Sequence, residues 1–127
     1  MSKKIVIVGA LGYLGSELCK LYSGESWFHN ITAIDNRFVS KRINQLRDWN
    51  IKFFQGQILD KEFLKEHIQD ADIVHHLAGV TDVAYVKKET NPGQDENIKK
   101  IAIEGTNNIL NAIQKKCKII FPSTHVV

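Results

Sequence analysis

The chain has 127 residues, 43% of them hydrophobic and 24% charged, which suits one soluble globular domain and argues against disorder. Lys plus Arg number 17 against 14 Asp plus Glu, a net charge of +3 with no long basic run, so no nucleic-acid partner is expected. Cys19 and Cys117 form no CxxC pair and stand far apart, which suggests neither a zinc knuckle nor a disulfide framework and fits a reducing cytoplasm.

Met1-Ser2-Lys3-Lys4 leads directly into Ile5-Val6-Ile7-Val8, an apolar run too short for a secretion signal or a membrane span, so no membrane partner is expected. Four further β-branched or aromatic runs follow: Ile31 to Ile34, Ile51 to Phe54, Ile73 to Leu77 and Ile119 to Phe121. Each reads as a buried strand, because unbroken apolarity without alternation is what a parallel sheet covered on both faces demands. Helical patterns separate them. Leu14, Leu18 and Leu21 share a face after the first run, and Phe63, Leu64 and Ile68 follow the third. The longest helix is expected to begin near Asp95, after the turn signal Asn91-Pro92-Gly93. There Ile98, Ile101, Ala102, Gly105, Ile109, Ala112 and Ile113 fall at offsets 0, 3, 4, 7, 11, 14 and 15, an amphipathic stripe. Lys115, Lys116 and Lys118 sit where that helix should end and where cations complement its dipole. The alternation β-α-β-α-β-α-β-α-β predicts an α/β fold, a Rossmann-like doubly wound parallel sheet of five strands filling one domain, residues 1–127.

Gly9-Ala10-Leu11-Gly12-Tyr13-Leu14-Gly15 joins the first strand to the first helix. In that position Gly9 permits a tight turn, Gly12 lets a pyrophosphate approach the backbone, and Gly15 lets helix and strand pack closely. The free N–H groups and positive dipole end of the helix would meet the phosphates. A P-loop is disfavoured, since no Gly-Lys-Ser/Thr follows. Asp35 closes the second strand 35 − 15 = 20 residues after the last glycine, the spacing of an acid that accepts the ribose hydroxyls. NAD is therefore expected over NADP, with Arg37 close enough to soften the preference.

With later residues, this pattern resembles the NAD-dependent epimerase/dehydratase family, the extended short-chain dehydrogenases. The family's GxxGxxG matches Gly9 to Gly15, its second-strand Asp-Asn matches Asp35-Asn36, and its fourth-strand HxA(A/G) matches His76-Leu77-Ala78-Gly79. The resemblance implies cofactor contacts from Gly9, Gly12, Tyr13, Leu14, Gly15, Asp35, Asn36, Gln57, Ile58, Leu77, Ala78, Gly79 and Thr81. Phe121-Pro122-Ser123-Thr124 looks like the family's fifth-strand ending, which would make Thr124 the catalytic residue that hydrogen-bonds the reacting sugar hydroxyl. Three departures stand out. Gln57 replaces the family's Asp at the adenine amino group, and a Gln amide oxygen can still accept that bond. Ala102 in Ala102-Ile103-Glu104-Gly105-Thr106 replaces an Asn that helps fix the catalytic centre. The family's Tyr-x-x-x-Lys has no counterpart, because Tyr85-Val86-Lys87-Lys88 has the wrong spacing and precedes the long helix.

The resemblance thus implies the N-terminal, NAD-binding part of a nucleotide-sugar epimerase or dehydratase, inactive by itself, with a nucleotide-sugar substrate in the full-length protein and a homodimer as an allowed assembly. Two other readings stay open: a non-catalytic NAD(P)-binding regulatory protein, and a short-chain reductase of a non-sugar carbonyl substrate. His75 and His76 point to opposite faces of a strand and read as packing; His29 and His67 have no evident partner ligands, so no metal is proposed.

Overall fold

The computed structural model describes residues 2–78 and 92–122, side chains of 92–98 excepted. Among the described residues five strands and four helices alternate: β1 Lys4–Val8, α1 Tyr13–Tyr22, β2 Asn30–Asp35, α2 Ser40–Asp48, β3 Lys52–Gln55, α3 Lys61–Ile68, β4 Ile73–His76, α4 Pro92–Ala112 and β5 Lys118–Ile120. The strands form one parallel sheet in the order β3-β2-β1-β4-β5. The chain moves outward from β1 to β3 and then crosses to the other side of β1. That reversal creates a crevice at the carboxyl ends of the central strands, where doubly wound sheets bind ligands.

Alternation along β1 splits the core into two layers. Ile5 and Ile7 face the layer containing Cys19 of α1 and Leu46 of α2, while Val6 and Val8 face Leu64 and Ile68 of α3 and Ile109 of α4. β1, β2 and β4 are buried almost throughout, as expected of strands covered on both faces. β3 and β5 are not: they are the sheet's outer strands, and their residues are exposed or half-buried, none of them fully buried. The expectation of five buried strands is corrected there, because an apolar run does not reveal which strand lies at an edge.

The first helix differs from its sequence reading as well. Leu14 and Leu21 are exposed, and Gly15 and Cys19 take the buried face with Leu18 half-covered. Glycine at 15 lets the helix lie close against the Gly9–Ala10 turn that follows β1, so the inward face holds the smallest residue instead of the leucines. The long helix starts at Pro92, where a missing N–H costs nothing because a first-turn N–H has no intrahelical acceptor. Its expected stripe holds at Gly105 and Ile109, which are buried, whereas Ile101 is partly exposed. No basic residue lies in its last turn; the chain leaves the helix at Ala112, and Lys118 opens β5. Asp60 caps α3 by accepting from the Phe63 N–H at 3.1 Å.

Candidate functional site

The glycine loop is pinned to the end of β2. Gly9 and Ala10 N–H groups both donate to the Ile34 carbonyl, at 2.8 and 3.1 Å, and the Leu77 N–H donates to the Val8 carbonyl at 2.8 Å. Gly9 has φ +86°, and a Cβ there would stand 2.7 Å from the Ala78 backbone nitrogen, so both conformation and space demand glycine. A Cβ on Gly15 would meet the Gly9 carbonyl oxygen at 2.3 Å. The left-handed residue is thus Gly9; Gly12, at φ −71°, sits in ordinary extended backbone as the N-cap of α1. No side chain caps α1, and its first turn carries no acidic residue. A close backbone approach ending at an uncapped helix start is a cradle for a pyrophosphate, and the residues present fit one.

Asp35 lies directly beside this loop and is 4% exposed. One carboxylate oxygen, Oδ2, accepts from the Leu11 N–H at 2.9 Å and from Arg37 Nη2 at 3.1 Å. The other, Oδ1, accepts from the Arg37 backbone N–H at 2.9 Å and from Arg37 Nε at 3.0 Å. Burial alone would raise the pKa of this carboxyl, but the Arg37 hydrogen bonds and charge, together with the Leu11 N–H, outweigh it and hold Asp35 below the ordinary carboxylate range. Arg42, from α2, donates to the Leu11 carbonyl, so the loop residue that bonds Asp35 through its N–H also accepts from a guanidinium.

Between the loop and β3 opens a cleft of about 430 Å³. Of the residues assigned to the cofactor, Gly9, Asp35, Asn36, Gln57, Ile58, Leu77 and Ala78 line it. Gly12 and Gly15 shape the adjoining loop, and Tyr13, 88% exposed, and Leu14 stand beside it facing solvent. Gly79, Thr81 and Thr124 lie outside the described residues, so Ala78 is the last described residue of the fourth-strand signature.

Two glycines have a packing role at the cleft that the sequence reading did not assign. Gly105 was read as part of an amphipathic stripe and of the Ala102–Thr106 motif, with no role at the cleft, yet a Cβ on it would stand 2.1 Å from Ile58 Cδ1, so this glycine seats Ile58 in the cleft wall. Gly56, itself in the cleft wall, leaves room for the Phe63 ring, which would lie 2.3 Å from a Cβ there. The adjacent histidines face opposite layers. His75 Nε2 pairs with the Tyr22 hydroxyl at 2.7 Å and His76 Nε2 with the Thr106 hydroxyl at 2.8 Å; burial lowers the pKa of both.

Residues 6–127 match the model of the 3-beta hydroxysteroid dehydrogenase/isomerase family. The chain belongs to that family. Among curated proteins it is 32% identical to the UDP-N-acetyl-alpha-D-glucosaminuronate decarboxylase of Bacillus cytotoxicus, over 100% of this chain and 38% of that protein. It is 31% identical to the UDP-glucose 4-epimerase of Mycoplasma genitalium, over 98% of this chain and 36% of that protein. The chain therefore spans little more than a third of the length of these relatives. Among solved structures, the UDP-glucose-4-epimerase from Stenotrophomonas maltophila with bound NAD and formylated UDP-arabinopyranose shares the fold, with a TM-score of 0.71 at 20% identity over 94% of this chain and 36% of that one. The resemblance to the epimerase/dehydratase family drawn from the glycine loop, Asp35-Asn36 and the fourth-strand signature is borne out, as is the Rossmann-like fold.

Proposed function

We propose that this chain is the NAD-binding portion of an enzyme that remodels the sugar of a sugar nucleotide, through epimerisation, dehydration or decarboxylation. The observation that carries the reading is the juxtaposition of the Gly9–Gly15 cradle with the buried, ionised Asp35, which accepts directly from the loop's Leu11 N–H. A dinucleotide would lay its pyrophosphate on the uncapped start of α1, its ribose hydroxyls on Asp35, and its adenine in the cleft between Asn36, Gln57 and Ile58. The cofactor would supply hydride transfer at a sugar carbon. This chain's residues bind and orient it, while Ile58, Leu77 and Ala78 give the cleft an apolar wall that excludes water.

The nucleotide-sugar class rests on the curated relatives, whose names specify UDP-sugar substrates. Thr124 keeps its proposed role at the reacting hydroxyl on the strength of the motif Phe121-Pro122-Ser123-Thr124. A second reading, a reductase of a non-sugar carbonyl compound, draws support from the steroid substrate in the family's name. Titration calorimetry with NAD on the wild-type chain and on Gly12→Val tests the cofactor assignment, because a valine side chain would project into the pyrophosphate's place. Loss of binding in the variant is expected, and equal affinities would remove the loop from the site.

A further inference from the structure

The stretch Gly56–Asp60 joins β3 to α3, and Gly56, Gln57, Ile58 and Leu59 line the cleft one after another. Its two ends are tied down. The Gly56 N–H donates to the Asp35 carbonyl at 3.0 Å, and Asp60 caps α3 while its own N–H donates to the Gln57 carbonyl at 3.0 Å. The middle is held from elsewhere. Half-buried Asn108 of α4, 50 residues further along the chain, donates from Nδ2 to the Ile58 carbonyl at 3.0 Å. Among the described residues, this is the hydrogen bond that reaches Ile58 from another element.

The geometry points to Asn108 as a positioning residue for the adenine side of the cleft: by holding the Ile58 carbonyl it fixes Gln57, Ile58 and Leu59 in place, and with them the affinity for the adenine half of the dinucleotide. The inference rests on the cofactor-binding reading above. Asn108 is not among the residues that line the cleft, so it acts through Ile58. Ile101, Gly105 and Asn108 fall at offsets 0, 4 and 7, on one face of α4. Ile101 lines the cleft itself, Gly105 makes room for the Ile58 side chain, and Asn108 takes the Ile58 carbonyl. Thr106 pairs with His76 of β4, which immediately precedes Leu77 and Ala78 in the cleft wall. One helix therefore holds both the segment after β3 and the end of β4. Released in its middle, the segment would sample other backbone conformations, and a ligand that needs one of them loses affinity in proportion to the time spent elsewhere. A neutral amide suits the task, because it donates to the carbonyl without burying a charge.

Titration calorimetry with NAD and with ADP, well below the melting temperature, on the wild type, Asn108→Ala, Asn108→Asp and Gln114→Ala reads this out. Gln114 is the control: its Nε2 makes the same kind of bond, to the Ala71 carbonyl at 2.9 Å, ahead of β4 and so at the opposite end of the sheet from the cleft. Asn108→Ala should weaken NAD and ADP by the same factor, about three- to tenfold, the range of one net hydrogen bond. Asn108→Asp, which keeps the size and removes the donor, should weaken both at least as much, and Gln114→Ala should bind both as the wild type does. Amide hydrogen exchange at Gln57, Ile58 and Leu59 should quicken in the two Asn108 variants and not in Gln114→Ala. A merely structural Asn108 would shift the melting temperature and leave the dissociation constants alone. The two Asn108 variants are read independently, so that misfolding of one leaves the other to decide. Wild-type affinities in a folded Asn108 variant overturn this inference and leave the cofactor site standing, as does a loss for NAD without one for ADP, or an equal loss in Gln114→Ala. Failure of the wild type to bind either nucleotide overturns the cofactor site and this inference with it.

Discussion

Gly105→Ala puts the cleft wall to a quantitative test. Glycine inside a helix is about 1 kcal/mol less favourable than alanine, so propensity alone makes the substitution stabilising. The structure opposes that gain. The new Cβ would lie 2.1 Å from Ile58 Cδ1, 2.6 Å from Cγ1 and 3.1 Å from Cβ, so the whole side chain must move and not only its tip. Overpacking of this kind costs roughly 1–3 kcal/mol, leaving Gly105→Ala neutral to about 2 kcal/mol destabilising. In an Ile58→Ala background, the two clashing atoms are gone and the same substitution should stabilise by up to about 1 kcal/mol. Urea unfolding of the four proteins in the cycle measures the coupling, and NAD titration reports whether the displaced Ile58 narrows the cleft, with weaker binding expected in Gly105→Ala alone. A stabilising Gly105→Ala in the wild-type background, or the same change in both, would refute the claim that this glycine seats Ile58.

Gly9→Ala should destabilise by about 2–5 kcal/mol, combining a left-handed backbone with contact against the Ala78 nitrogen, whereas Gly24→Ala, with nothing within 4 Å of its added Cβ, should be neutral or stabilising by less than about 1 kcal/mol in the same urea titration. Burial lowers the pKa of His75 and His76 below the 6.5 of the unfolded chain, so near that value the unfolded state binds more protons and stability falls as pH drops through it. Thermal melts between pH 8 and pH 5 should show that loss, with a slope of at most about 1.4 kcal/mol per pH unit for each histidine, and His75→Gln should flatten it. The 127 residues contain no Tyr-x-x-x-Lys, so incubation with NAD and a panel of UDP-, GDP- and dTDP-sugars should give no sustained NADH absorbance; turnover would direct attention to His125 and Tyr85 as proton acceptors.

Much of this architecture was legible in the sequence because parallel sheets and glycine turns leave local signatures. Apolar runs placed all five strands to within a residue or so, and the loop from Gly9 to Gly15 together with Asp35 was legible too, since the backbone at Gly9 and Gly15 leaves no room for a Cβ. Adjacent histidines in a strand had to face opposite layers, and they do. Local pattern could not say which strands lie at the edges, because strand order depends on where the chain crosses the sheet; hence β3 and β5 were read as buried. Nor could it say which face of α1 turns inward, a choice made by how closely Gly15 lets that helix approach Gly9. The same holds for the pairings that tune the site. Gly105 meets Ile58 across 47 residues of sequence, and the Leu11 N–H reaches Asp35 across 24, contacts that exist only once the sheet has formed. Arg37 was visible beside Asp35 from the start, but side-chain direction and shared lone pairs are properties of the folded chain, and they decided that its guanidinium stands on both carboxylate oxygens of the acid.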